Sequence, residues 1–122
     1  YTITSEPGPG TDFQLSLAEK YGREGKTANS HNYANGIMVA QVAVETIRRA
    51  KEKGLEITKK SLHDQLNAMN GENAYHPPTT VGPVTYSPTD RAGVDSLQIY
   101  VVNKGQFRKV GEPIMSEYVN RP

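Results

Sequence analysis

Apolar positions keep a helical period through the first two thirds of this chain and a period of two in the last third. From Phe13 they recur every four residues, as Phe13, Leu17 and Tyr21 with Ala18 beside them, the stripe of an amphipathic helix. Thr11 precedes the stripe as an N-cap, Gln14 three residues later completes a capping-box pattern, and Gly22 follows as a stop. A helix is therefore predicted over residues 12–21. Ahead of it, two prolines and two glycines in residues 5–10 dictate a loop. Residues 22–32 are polar and read as a connection. The strongest pattern then begins. Tyr33, Ile37, Ala40, Val44 and Ile47 form one helical stripe, and Met38, Val39, Val42 and Ala43 widen it almost all the way round. A helix this apolar in its first half must be packed between other elements. Its second half turns polar, Glu45 can pair with Arg49 one turn on, and Gly54 closes it.

Thr58 is the expected N-cap of a third helix, with Ile57 before it able to staple onto Leu62. Leu62, Leu66 and Met69 share a face, and Asn70-Gly71 ends the helix. Residues 71–80 form a polar loop containing His76-Pro77-Pro78, and Pro78 and Pro83 limit strand pairing around them. The last third has period two. Residues 81–86 read as a short strand, and Ser87-Pro88-Thr89-Asp90 as a turn. Leu97, Ile99 and Val101 alternate with Gln98, Tyr100 and Val102, and Asn103-Lys104-Gly105-Gln106 turns the chain into residues 107–110 to make a hairpin. From Gly111 the tail, with Pro113 and Pro122, reads as irregular.

Three helices, a short strand and a C-terminal β-hairpin supply few partners for the apolar helix. A parallel sheet contributed by further polypeptide would cover it, and the chain opens at Tyr1 without a methionine, on residues that read as the end of a strand. Both features suggest a fragment of a longer α/β protein. A fragment exposing such an arc can also pair with a copy of itself.

Composition narrows the function. Hydrophobic content of 35% and charged content of 22% are those of an ordinary globular chain. A net charge of +1 gives no field to attract nucleic acid or a membrane surface. With no cysteine, a disulfide framework, a thiol nucleophile and a cysteine-built zinc site are excluded. No apolar run approaches the roughly 20 residues that span a bilayer.

Several segments in order carry a family likeness. Tyr33-Ala34-Asn35-Gly36 leads into an apolar helix, preceded by a helix over Gly10-Thr11-Asp12-Phe13 to Tyr21-Gly22. After it come a short capped helix, Val81-Gly82-Pro83-Val84-Thr85-Tyr86, the turn Ser87-Pro88-Thr89-Asp90-Arg91-Ala92-Gly93 and the hairpin Ile99-Tyr100-Val101-Val102-Asn103-Lys104-Gly105-Gln106-Phe107. Over about residues 1–118 this order resembles the C-terminal part of type I periplasmic solute-binding proteins of the branched-chain amino acid (Leu/Ile/Val-binding) ABC transporter family. The resemblance implies that residues 1–122 form a single C-terminal portion of a two-lobed α/β domain. Three crossover strands join the lobes, which close on a ligand between them. It implies a non-enzyme that needs no cofactor and captures a branched-chain amino acid, an aromatic acid or another small carboxylate. A membrane permease would be its partner, at a periplasmic or extracellular location with a lipid anchor in the full-length protein. The same fold also serves ligand-sensing domains of the receptor or amide-sensor type, which signal instead of delivering cargo.

The resemblance puts Ala28, Asn29, Ser30, His31 and Tyr33 at the cleft, where the N–H groups of a helix start would suit a carboxylate. Against that stands a plainer reading in which Ser30 and Asn32 cap the helix and Tyr33 anchors it in the core. His31, His63 and His76 lack metal-ligand spacing. Asp90 and Asp95 sit in turn-forming sequence with no partner base or nucleophile. Gly8-Pro9-Gly10 lacks the lysine and spacing of a phosphate cradle. The cationic run Arg48, Arg49, Lys51 and Lys53 reads as a solvated helix face, or a docking surface for a partner.

Overall fold

In a computed structural model, residues 7–116 are described and form four helices and two small sheets. The first helix, α1, spans Pro9–Lys20 and starts earlier than the capping pattern suggested. Proline at the first helical position has the φ that a helix needs and lacks only an N–H that would have no partner there. Gly8, not Thr11, is the N-cap. Thr11 and Gln14 are instead buried on the inner face with Ala18. Gln14 Nε2 donates 2.8 Å to the carbonyl of Ala28, tying α1 to the next element. Gly22, at φ +61°, closes α1 as expected: its N–H bonds Glu19 O while Arg23 N–H bonds Ala18 O, the paired bonds of a Schellman stop.

The polar connection contains one further helical turn, α2 (Gly25–Ala28), which makes a fourth helix where three were expected. The long helix α3 covers His31–Glu52 and ends on a second Schellman pair, Gly54 N–H to Lys51 O and Leu55 N–H to Ala50 O. Its buried positions are Ala34, Ile37, Glu45, Thr46 and Ala50. The apolar arc that must be packed is only partly covered by the described residues. Val39 is 58% exposed and Val44 65%.

Helix α4 (Lys59–Asn67) packs on α3 and begins with the expected Thr58 cap. Thr58 Oγ1 accepts from Ser61 N–H at 3.1 Å, and Ser61 Oγ accepts from Thr58 N–H at 3.0 Å. A serine thus fills the role that a glutamate plays in the usual capping box. Beyond α4, a 3₁₀ turn over Gly71–Asn73 leads to Tyr75.

The short strand is shorter than expected and is not alone. Only Val84–Thr85 (β1) extends into a ladder, pairing antiparallel with Gly93–Val94 (β2). Pro83 has no N–H to donate, so pairing begins after it. Val84 also exchanges two bonds with Tyr75, at 2.7 and 3.0 Å, and is 1% exposed. Nearby, Tyr86 N–H donates to the carbonyl of buried Met69 at 2.7 Å, and the Thr79 hydroxyl donates to Gln41 Oε1 across to α3.

The hairpin pairs β3 (Ser96–Asn103) with β4 (Gln106–Met115) through a two-residue turn, Lys104-Gly105, with both φ positive. That conformation matches the strand twist. The tail expected to be irregular continues as strand to Met115. Gly111, at φ +64°, absorbs a bulge between the pairs Ile99↔Val110 and Leu97↔Ile114. β3 has the alternation its sequence predicts, but its apolar face (Leu97, Ile99, Val101) is the exposed one, while Gln98 is buried. Among the described residues no helix is long and apolar enough to cross a membrane.

Candidate functional site

The five residues expected at a cleft lie at the corner where α2 hands over to α3. Gly25, at φ +55°, opens the α2 turn. Asn29 closes it twice over, its backbone N–H and its side-chain Nδ2 both donating to Gly25 O at 3.2 and 3.0 Å. The chain then extends at Ser30 (φ −80°, ψ 143°), whose Oγ accepts from Tyr33 N–H at 3.1 Å. That bond satisfies one of the amides that a helix start leaves open.

Ala28 is buried and its carbonyl is held by Gln14. Asn29 and His31 are exposed, and Ser30 and Tyr33 half-buried. Ser30 caps the helix, as the plainer reading had it, and Tyr33 is half-buried among the described residues. Asn32 lies inside the first turn of α3, two residues past the cap, and is not itself a cap. The corner presents a polar, accessible surface at the positive end of a 22-residue helix. It can offer donors to an anion.

The other sequence candidates resolve into local roles. Asp90 Oδ1 accepts from Ala92 N–H at 2.9 Å within the turn that Ser87 also ties to Asp90 N–H. His63 sits exposed on α4 beside Asn67. Among the described residues no group of three or more His, Asp or Glu could hold a metal ion.

The cationic run is not simply a solvated face. Glu45, 7% exposed, accepts from Arg48 Nε and Nη2 at 2.8 and 2.7 Å and from Arg49 Nε at 2.7 Å. Arg49 Nη1 reaches on to Asn73 O at 2.7 Å, locking α3 to the segment after α4. The Glu45–Arg49 pair follows from the four-residue spacing, but the third partner, Asn73, is 24 residues away and has no sequence signal. Hydrogen bonds from Arg48, opposed by burial and aided by Arg49, hold the Glu45 carboxyl at about 2, well below its usual value of 4.5.

Sequence reasoning also missed two open apolar cavities flanking α3. One, about 410 Å³, lies against α1 and is lined by Phe13, Leu17, Ile37, Val44 and Pro78. The other, about 390 Å³, lies between α3 and the strands and includes Met38, Val42, Gln98 and Tyr100 in its lining. The exposed side of the apolar arc could have signalled them.

No family model and no curated protein matches the chain. Among solved structures it is similar to a branched-chain amino acid ABC transporter from Thermus thermophilus, crystallised with bound valine. The two are 34% identical and superpose with a TM-score of 0.81 over 95% of this chain. The chain spans 32% of that protein's length.

Proposed function

We propose, from the premise that this chain is related over nearly its whole length to the solute-binding proteins of branched-chain amino acid ABC transporters, that it is the C-terminal portion of such a protein. In this reading the gene product captures a small carboxylate solute, a branched-chain amino acid or another small acid, between two lobes. It then delivers the solute to a membrane permease from a periplasmic or extracellular location. The observation that carries the reading is the agreement of fold and sequence, a TM-score of 0.81 at 34% identity, with a protein crystallised with valine.

Two physical features of the chain support it. The arc of α3 around Val39 and Val44 is left exposed by the described residues, and an adjoining β-sheet would bury it at about 25 cal/mol per Å² of apolar surface. The corner Ala28, Asn29, Ser30, His31 and Tyr33 sets the start of α3 toward solvent, where its N–H dipoles favour a carboxylate. We assign that corner to the ligand cleft.

A thermal-shift panel on the complete gene product tests this. Valine, leucine, isoleucine and aromatic acids should include at least one that raises Tm, growing with concentration by mass action, about 2.7 kcal/mol at one hundred times Kd. A panel without any stabilising acid would overturn the reading.

A further inference from the structure

We propose that the corner between α3 and α4 is a membrane-facing surface, which rests on a bilayer bearing anionic headgroups. The net charge of +1 conceals an uneven distribution. Between Arg48 and Lys60 six cations stand against Glu52 and Glu56, a net +4, so the rest of the chain carries −3. Residues 51–60 are exposed without interruption. Two of the six cations are committed within the protein, Arg48 to Glu45 and Glu52, and Arg49 to Glu45 and Asn73. Lys51, Lys53 and Lys59 make no ion pair among the described residues.

Local stability does not account for all of these charges. Lysine suits the end of α3, where open carbonyls favour a cation, so Lys51 and Lys53 have a plain reason to be there. Lys59 and Lys60 have the opposite setting. They are the first two residues of α4, no acid stands in that turn, and the open N–H groups of a helix start repel a cation. The Lys60–Asp64 pair is exposed and runs in the weaker order, cation before anion. Cations kept where the helix disfavours them point to a partner that needs them. The backbone presents them rigidly: Gly54 closes α3 with a Schellman pair, and the Thr58–Ser61 box opens α4.

The mix of residues selects the partner. Leu55, 40% exposed, and Ile57, 43% exposed, lie between the two lysine pairs. Lysine heads can therefore reach phosphates while the apolar pair meets the boundary between headgroups and acyl chains. Protein interfaces favour aromatic residues and arginine and are poor in lysine, whereas residues 48–60 hold four lysines and no aromatic residue. Cover by further polypeptide of the same protein is disfavoured as well, because lysine is almost never buried unpaired. The corner lies at the opposite end of the 22-residue α3 from the residues assigned to the solute, about 30 Å away at 1.5 Å per residue. Contact with a bilayer here leaves that other end free.

The test is co-sedimentation of the complete gene product with vesicles of phosphatidylcholine, alone or with about one third phosphatidylglycerol. The anionic vesicles should bind more protein, and raising salt from about 0.1 M to about 1 M should remove the difference. Lys53→Gln with Lys59→Gln should weaken binding to anionic vesicles about 25-fold, or about five-fold for each lysine. That variant should keep the wild-type Tm or exceed it, since Lys59→Gln removes a cation from a helix start. Lys53→Arg with Lys59→Arg keeps both charges and should bind like wild type. Equal binding to the two vesicles, or a glutamine variant that binds like wild type, would overturn the proposal. So would binding to poly-glutamate without binding to anionic vesicles, which would assign the corner to an acidic protein. A crystal structure of the gene product in which its own polypeptide covers Leu55 and Lys59 would overturn it too. Solute capture stands or falls separately, on the thermal-shift panel.

Discussion

Glu45→Gln is the substitution whose effect the structure specifies most fully. The carboxylate is 7% exposed and accepts three charge-assisted hydrogen bonds from Arg48 and Arg49. Its pKa falls from 4.5 to about 2, which corresponds to ~3 kcal/mol at 1.36 kcal/mol per unit. Arg48 is 51% exposed, so solvent screens part of that, and about 2 kcal/mol is the working expectation. Glutamine keeps the shape but leaves Arg49, at 17% exposure, beside a neutral amide. The sign follows from the lowered pKa: the contribution is complete well above pH 4.5 and disappears as pH falls through about 2. Urea denaturation of wild type and Glu45→Gln at pH 7 should therefore differ by about 2 kcal/mol, and at pH 3 by less than half of that. Carbon-13 titration of the Glu45 carboxyl reads the same quantity directly. A carboxyl that titrates above 4, or a stability difference that is constant from pH 7 to pH 3, would refute the reasoning.

Three further outcomes can be checked by chemical denaturation of the gene product. Ser30→Ala should lose about 1 kcal/mol and Ser30→Asp should restore it, because the 3.1 Å bond to Tyr33 N–H is a helix cap; an alanine variant of unchanged stability would contradict this. Gly82→Ala places a Cβ 2.8 Å from Ser96 Cβ and should cost about 1–3 kcal/mol, with Ser96→Gly in the same chain recovering most of the loss. Lys104→Asn should stabilise the hairpin by about 0.5 kcal/mol, since Lys104 occupies φ +50° in a turn that prefers Asn-Gly; a destabilised hairpin would count against the turn geometry.

Much of the fold was legible because helix stops and caps are local. Gly22, Gly54, Thr58 and the Lys104-Gly105 turn each act through backbone bonds within a few residues, and sequence encodes such bonds directly. The misreadings arose where a local signal had a competitor. Thr11 looked like a cap, but Pro9 could start the helix earlier and Thr11 went to the buried face. Residues 81–86 looked extended, but Pro83 deferred pairing to Val84. Gly111 looked like a terminator and instead turned a bulge that carries β4 to Met115. In β3 the period was plain, yet nothing local says that Gln98 faces inward while Leu97, Ile99 and Val101 face out. At the α2–α3 corner, Ser30 as cap was legible, whereas the burial of Ala28 under Gln14 depends on a contact spanning 14 residues.

Small-angle X-ray scattering of the complete gene product, with and without a small acid that stabilises it, addresses lobe closure most directly. Solute captured between two hinged lobes should reduce the radius of gyration at saturation, reversibly on dialysis. Binding that leaves the scattering curve unchanged would contradict capture by closure and the reading of this chain as part of a two-lobed carrier.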